Sequence, residues 1–453
     1  MEVFGSSGTR GVANEELTPE FVLRVAKAAG TAWGADRVAI ARDTRRTGRM
    51  LADAAASGLA STGTDVDRLG VVPTPGVQVY AEREGVPAVV VTASHNPPQY
   101  NGIKLVGADG VELAVSTLED IEGILLAESF TVAPWNQTGR VREVESVRRR
   151  YLEGLLEATD RERIADADLT VALDPGHGAG SLTSPEFLRK LGCRVVTVNA
   201  QADGAFPGRD PEPVPDTLAD LRRLVRATDA DVGIAHDGDA DRAIFVDERG
   251  GHVDGDAALA ALAAAELEAG ASTVSAVNVS QRLVDVVEEA GADLELTPIG
   301  STNIITRIRE LQEAGRTVPV AGEGNGGIFF PDYRLTRDGA YTAARFLELV
   351  ADRPASELVA PYDAYANVRR NVGYGSTAER DAMLDAAANH AHDADADLNT
   401  RDGYRIDYGD AWVLARPSGT EPLVRVSAEA RERSRAETLA GEMYEALVEA
   451  KTT

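Results

Sequence analysis

Apolar and polar positions along the chain switch repeatedly between two spacings. Short runs of β-branched and small apolar residues alternate with longer stretches whose apolar residues recur at helical intervals, the grammar of buried strands covered by helices. Thr18-Pro19 places an N-cap and a first-turn proline ahead of an amphipathic helix that runs to Gly34. A strand over 37–43, a helix over 48–62 stopped by Gly63, and a β-rich run over 88–92 follow. The pattern restarts with strand 169–173, helix 183–191, strand 193–198, helix 217–228 and strand 231–235. It restarts again with a helix from Asp256, strand 273–279, helix 281–289, strand 293–297, helix 303–313, strand 318–321 and a helix over 338–350. The last stretch differs: a strand, a helix, two strands around Trp412 and a long C-terminal helix.

This order predicts three similar α/β domains followed by an α+β domain, with boundaries near 147, 250 and 357: domains of 1–147, 148–250, 251–357 and 358–453. A length of 453 residues exceeds what one core supports.

Composition changes the picture mainly through charge. The net charge is −27, and lysine is confined to Lys27, Lys104, Lys190 and Lys451. Such a surface repels nucleic acid and anionic lipid and resembles proteins adapted to concentrated salt. It also repels anionic substrates, so any phosphate site needs its own donors. Cys193 is the only cysteine, which leaves no disulfide framework and no cysteine metal cluster. The beginning of the sequence carries no basic or apolar signal, and no run approaches a membrane span, so the expected location is the cytoplasm. A monomer and a homodimer both fit the sequence.

Five loops are too rich in glycine and polar residues for packing alone. The first chemical loop is Thr92-Ala-Ser94-His95-Asn96-Pro-Pro-Gln-Tyr-Asn-Gly-Ile-Lys104. Ser94 follows a buried strand and is a candidate phosphoryl acceptor. A turn at Gly102 is expected to return Lys104 toward it. Read alone, the loop is equally a proline-rich turn with capping Ser and Asn. A Ser94–His95 hydrolase pair is not expected, because neighbouring residues seldom face each other and no nucleophile elbow is present.

The second loop, Asp237-Gly-Asp239-Ala-Asp241-Arg242, follows strand 231–235. Alternating small residues let three carboxylates turn toward one point, which suits a hard divalent cation such as Mg²⁺, with Arg242 neutralising phosphate charge nearby. Calcium is the rival, since Glu248 falls at loop position twelve, but Arg242 stands where an EF-hand requires glycine. The alternating acids Asp393, Asp395 and Asp397 lack a preceding strand and read as a solvated loop.

The third loop, Gly322-Glu323-Gly-Asn325-Gly-Gly327, matches a dinucleotide pattern, yet a strand-like run follows it where a helix is needed. Glu323 and Asn325 suit sugar hydroxyls. In the fourth, Arg416-Pro-Ser418-Gly419-Thr420, an arginine, two hydroxyls and free backbone N–H groups form a phosphate cradle. The fifth, Gly5 to Gly11, places Arg10 among glycines as a further phosphate donor.

These loops, in this order, closely resemble the α-D-phosphohexomutase family, which includes phosphoglucomutases, phosphomannomutases and phosphoglucosamine mutases. The resemblance runs from residue 4 to about 427. It implies three three-layer α/β domains and a smaller fourth around a central cleft. It also implies a small phosphosugar substrate, one Mg²⁺ per chain, and a hexose 1,6-bisphosphate as intermediate and activator. By motif, Ser94 corresponds to the phosphoserine, and Asp237, Asp239 and Asp241 with Ser94 to the Mg²⁺ ligands. His95, Lys104, Arg10 and Arg242 correspond to residues of proton transfer and phosphate handling, Glu323 and Asn325 to the sugar loop. Arg416, Ser418, Gly419 and Thr420 correspond to the clamp on the non-reacting phosphate. Two departures stand out: Gly327 leaves room where many relatives have histidine, and Pro298 stands where some have lysine, so the second proton-transfer group is unassigned. Ser418-Gly419-Thr420 resembles phosphoglucosamine mutases, and the glycine-rich sugar loop resembles archaeal members of that kind. Glucosamine 6-phosphate is therefore the expected substrate. Mannose or glucose phosphate is the alternative, and a sugar-phosphate-binding protein without catalysis, or a phosphatase, the readings of another class.

Overall fold

The computed structural model describes residues 3–5, 8–418 and 421–451. The chain divides into two compact units, Met1–Ala258 with Asn325–Val359, and Leu259–Gly324 with Ala360–Thr453.

The first unit contains a six-stranded sheet. In order its strands are Thr9–Val12, Tyr100–Val106, Ala88–Val91, Arg37–Arg42, Asp65–Val71 and Val141–Glu143. The last four run parallel, and Tyr100–Val106 runs against Ala88–Val91. Alternation along Arg37–Arg42 puts Val38 and Ile40 on one face and Ala39 and Ala41 on the other. The first face packs against Val22, Val25, Leu51, Leu59 and Ile121 of helices Pro19–Trp33, Gly48–Ser61 and Val115–Leu126. The second packs against Val77, Tyr80 and Ala81 of helix Thr74–Glu84. Both faces are thus removed from water, the three-layer arrangement expected of near-continuous apolar strands. Helix Pro19–Trp33 begins as predicted: Thr18 Oγ1 accepts from the Phe21 N–H at 3.2 Å, and Gly34 ends the helix at φ +53°.

The same unit holds a four-stranded sheet in the order Ile244–Asp247, Val232–Ala235, Thr170–Asp174 and Arg194–Thr197, antiparallel only at its first pair. An antiparallel hairpin joins Gly327–Phe330 to Arg334–Arg337. Helix Gly339–Val350 follows, pinned by Phe346 stacked on Phe245 at 3.9 Å. Strands Ala88–Val91 and Val232–Ala235 each release a chemical loop from the carboxyl end, where ligands gather in open α/β sheets.

The second unit carries the parallel pair Ser272–Ala276 and Asp293–Thr297, with helices Gln281–Ala290 and Ser301–Glu313. It also carries a five-stranded antiparallel sheet in the order Ala366–Gly373, Leu423–Ala430, Ala411–Pro417, Tyr404–Asp407, Asp397–Asn399. Helices Thr377–Asp393 and Arg433–Lys451 cover it through Met383, Ala387, Leu439, Met443 and Leu447. This is the α+β element expected at the end of the chain, with two strands more than the sequence pattern showed.

Three expectations shift. The strand expected over 273–279 stops at Ala276, because the Val279 N–H turns back to the Ala276 carbonyl at 2.9 Å. The strand expected over 318–321 is instead Ala321–Glu323. Val318 and Val320 are buried there without a ladder, and the Val320 carbonyl accepts from Thr273 Oγ1 at 2.8 Å. Gly102 is no turn: it lies inside strand Tyr100–Val106, and the chain reverses earlier, around Pro97 to Tyr100. Among the described residues no helix is long and apolar enough to cross a membrane.

Candidate active site

Ser94 sits just past strand Ala88–Val91, almost fully buried, in the left-handed region at φ +49°. That conformation is unusual for a residue with a β-carbon and must be held by its surroundings. Arg45 does much of the holding. It is fully buried and donates to the carbonyls of Ser94 (2.9 Å), Asn96 (2.6 Å), Pro97 (2.7 Å) and Tyr100 (2.9 Å). Its own charge is met by Asp43 at 3.0 Å. Asp43 accepts from Thr92 Oγ1 at 2.7 Å, and Thr92 Oγ1 in turn accepts from the Ser94 N–H at 2.9 Å.

The left-handed turn brings the imidazole of His95 to the hydroxyl beside it: Nδ1 lies 3.3 Å from Ser94 Oγ. The sequence had spoken against such a contact between neighbours. Burial, with Arg242 and Arg10 close by, pushes the His95 pKa down to about 2, so the imidazole is neutral. Arg10 reaches the same loop, donating to Asn96 Oδ1 at 2.8 Å.

The acid loop closes on Ser94 from the second sheet. Ser94 Oγ donates to Asp237 Oδ2 at 2.7 Å. Gly238 makes the approach feasible, since a β-carbon there would lie 2.6 Å from the Ser94 carbonyl oxygen. Ala240 at φ +57° swings the third carboxylate round, and all three acids are buried with one ligand atom each within 4.8 Å of one another. Lys104, opposite Val90 in the antiparallel register, puts Nζ 2.9 Å from Asp239 Oδ2 and 3.0 Å from Asp241 Oδ2. Burial opposes its charge, but Asp239 and Asp241 outweigh burial and raise its pKa. Thr74 Oγ1 adds a bond to Asp239 Oδ2 at 2.7 Å, and Arg337 one to Asp241 Oδ2 at 2.7 Å.

These bonds leave Asp239 Oδ1 and Asp241 Oδ1 buried without a hydrogen-bond partner. Two orphaned carboxylate oxygens beside a third acid are what a hard cation needs. Burial and the neighbouring Asp241 and Asp239 raise the pKa of Asp237 well above the carboxylate range. Burial opposes the charge of Asp241 too, yet Arg337, Lys104 and Arg242 overcome it and hold that pKa low. The calcium reading fails on geometry: Glu248 accepts from the Ser356 N–H at 3.0 Å and from its hydroxyl.

The structure therefore assembles Ser94, His95, Lys104, Arg10, Asp237, Asp239, Asp241 and Arg242 within the first unit. Asn325 belongs to that unit as well, its Oδ1 accepting from the Gly327 N–H at 3.0 Å. Glu323 and Arg416 lie in the second unit, where burial lowers the pKa of Arg416, opposed in part by Asp402 and Glu323. Arg416 pairs with Asp402 at 3.5 Å, and the Ser418 N–H donates to the Leu423 carbonyl at 2.9 Å. Gly419 and Thr420 lie outside the described residues.

The room expected at Gly327 is not vacant. A β-carbon there would meet Arg337 Cδ at 2.8 Å. Arg337, Glu112, Thr74, Asp43 and Arg45 all escaped the sequence reading. For Asp43, Arg45 and Arg337 the only signal was charge near the ends of strands, as in Arg42-Asp43-Thr44-Arg45 and Arg337-Asp338-Gly339; Thr74 and Glu112 gave none.

Family models describing phosphoglucomutase/phosphomannomutase α/β/α domains I, II and III match residues 1–132, 149–251 and 254–365, and the C-terminal domain of that family matches 367–446. The chain belongs to the phosphoglucomutase/phosphomannomutase family. It is 40% identical over 447 residues to a phosphoglucomutase/phosphomannomutase of Thermococcus kodakarensis, covering 96% of both chains. It is equally 40% identical over 450 residues to a probable phosphoglucosamine mutase of Methanopyrus kandleri, covering 98% of this chain and 97% of that one. Among solved structures, a phosphoglucomutase/phosphomannomutase family protein from Burkholderia thailandensis superposes with a TM-score of 0.84 at 28% identity, covering 99% and 97% of the two chains. Membership makes the chain a phosphohexomutase-type enzyme of three α/β domains and a C-terminal domain.

Proposed function

We propose that the chain interconverts hexose 6-phosphates and hexose 1-phosphates through a phosphoserine at Ser94, with glucosamine 6-phosphate as its preferred substrate. The observation that carries this reading is the 2.7 Å bond from Ser94 Oγ to Asp237 inside a buried triad of acids. The domain partition that goes with it has boundaries near 147, 250 and 357.

In this reading phosphorylated Ser94 transfers its phosphoryl group to the free hydroxyl of a hexose monophosphate. The Oγ–P bond breaks, a P–O bond to the sugar forms, and the hydroxyl proton ends on Ser94 Oγ. The bisphosphate then turns end for end, and its other phosphate returns to Ser94 while the serine proton passes to the departing sugar oxygen. Lys104, held cationic by Asp239 and Asp241, can donate a proton but not accept one, while neutral His95, 3.3 Å from Ser94 Oγ, is placed to hydrogen-bond the serine oxygen as the proton moves. Arg10 and Arg242 supply the positive charge that a chain of net charge −27 otherwise denies a phosphate. Asp237, Asp239, Asp241 and an oxygen on Ser94 would hold a Mg²⁺ ion, which neutralises charge on a moving phosphoryl group when bound. Glu323 and Asn325 select the sugar, and Arg416 with Ser418, Gly419 and Thr420 clamps the phosphate that is not reacting.

Glucosamine 6-phosphate carries an ammonium group, a donor that complements the Glu323 carboxylate. The Asn325 carbonyl oxygen is already engaged by the Gly327 N–H. Glucose and mannose 6-phosphates are the second reading, favoured by the equal identity to a relative named for them. Isomerisation of the three hexose 6-phosphates, followed without net phosphate release, tests both levels. Glucosamine 6-phosphate should show the highest kcat/KM. A clear preference for mannose or glucose overturns the substrate, and phosphate release without isomerisation overturns the mutase.

A further inference from the structure

The hairpin Gly327–Phe330 to Arg334–Arg337 carries Arg337 back alongside Gly327. A β-carbon on Gly327 would lie 2.8 Å from Arg337 Cδ, 3.5 Å from its Nη1 and 3.0 Å from Asn325 Oδ1. The stem of Arg337 therefore fills the volume that a side chain at 327 would take, next to the sugar-loop amide. The head of the same residue reaches the acid loop. Its Nη2 lies 2.7 Å from Asp241 Oδ2 and 3.4 Å from Glu112 Oε1, and all three side chains are buried. A guanidinium out of water at this depth is tolerated only when carboxylates meet it. Asp241 Oδ2 thus takes two cations, Arg337 and Lys104, while Oδ1 has no hydrogen-bond partner and only the Arg242 Nε near it, at 3.9 Å. With Oδ2 tied down on two sides, Oδ1 is the oxygen of Asp241 that no hydrogen bond engages, beside the other two acids of the loop.

We propose that Arg337 is a positioning residue for phosphoryl transfer, its guanidinium orienting Asp241 and its stem setting the place of Asn325, so that one side chain holds the acid loop and the sugar-loop amide in register. Its consequence for turnover rests on the mutase reading above; its structural part does not. The arrangement also explains why residue 327 is a glycine: a larger side chain and Arg337 compete for one volume.

The direct test uses Mn²⁺ as a paramagnetic probe, titrated into the full chain without sugar, with free ion read by electron paramagnetic resonance. Arg337→Met keeps the length of the stem and removes the charge. Loss of a side chain that orients a metal ligand characteristically weakens binding about 10–100-fold, and the Mn²⁺ dissociation constant should rise into that range. Arg337→Lys, which restores a charge, should recover part of the loss. A purely electrostatic neighbour predicts the opposite sign, because removing a cation strengthens the site. Unchanged or tighter Mn²⁺ binding in Arg337→Met overturns the proposal. The volume argument is read separately by thermal unfolding. Gly327→Ala should lower the Tm of the wild type by clearly more than that of an Arg337→Ala chain, in which only the 3.0 Å approach to Asn325 Oδ1 remains. Equal losses in both backgrounds overturn it. Neither readout needs turnover, so a chain without mutase activity still tests Arg337. In an active one, Arg337→Ala should change the ratio of kcat/KM between glucosamine and mannose 6-phosphates, and Arg337→Met should lower kcat with that ratio preserved. The reverse pattern contradicts the division of labour between stem and head.

Discussion

Ser94 Oγ donates a 2.7 Å hydrogen bond to Asp237 Oδ2 although 143 residues separate the two along the chain. Each stands just beyond the carboxyl end of a buried strand, in a different sheet. The bond is therefore a product of how the two sheets are packed within one unit, and the chemistry follows from that packing.

Asp237 ties metal binding to pH. Its pKa is raised by burial and by the charges of Asp241 and Asp239, so without a cation it holds a proton at pH values where an ordinary aspartate would not. A divalent ion must displace that proton. Mg²⁺ affinity should fall as pH drops through the raised pKa, and calorimetry in buffers of different ionisation enthalpy should detect proton release. Asp237→Asn should abolish the proton release and weaken binding. Neutralising Asp393, Asp395 and Asp397, all exposed, should leave Mg²⁺ binding unchanged.

Arg45 should be among the costliest single losses in the first unit. Arg45→Met leaves four loop carbonyls short of a donor and the buried Asp43 carboxylate without its cation. Breaking one side of a buried pair typically costs about 3–5 kcal/mol. Urea unfolding should show a loss of that order, together with loss of activity from a loosened Ser94 loop. A loss below about 1 kcal/mol, the range of an exposed pair, would contradict the role assigned to it.

The chemical loops were legible because chemistry needs unusual residues in fixed places. Ser94, the alternating acids and the Gly322–Gly327 run stand out against helix and strand periodicity. What holds them did not. Arg45 and Arg337 look like ordinary surface arginines in a chain rich in charge, and only the fold reveals that carbonyls and carboxylates from distant segments converge on them. The Ser94–His95 contact was missed for a local reason: the left-handed turn at Ser94 reverses the usual divergence of adjacent side chains, and no residue type announces it. Strand ends near 276 and 321 were misplaced because Val277, Val318 and Val320 are buried outside any strand, and apolar character alone does not separate the two.

Asp338 should make stability depend on pH. It caps helix Gly339–Val350, and burial lifts its pKa from 3.8 to about 6 despite hydrogen bonds from Tyr151, the Tyr341 and Ala340 N–H groups and Tyr333. A carboxyl whose folded pKa is raised stabilises the fold in its protonated form. That contribution is complete below the unfolded value and is lost as pH rises through about 6. At about 1.4 kcal/mol per unit of pKa, the swing amounts to about 3 kcal/mol. Urea unfolding of wild type and Asp338→Asn at pH 4, 5, 6 and 7 should show the wild type losing stability relative to the variant over that span. A constant difference between them would show that the carboxyl titrates normally.

Phosphorylation of Ser94 is the point on which the mechanism stands. Purified chain incubated with a hexose 1,6-bisphosphate and Mg²⁺, then digested and analysed by mass spectrometry, should carry one phosphate, located on Ser94. The group should disappear when a hexose monophosphate is added in excess, and Ser94→Ala should take up none while losing essentially all isomerisation. A phosphate found on another residue, or an alanine variant that isomerises as fast as the wild type, would contradict transfer through Ser94.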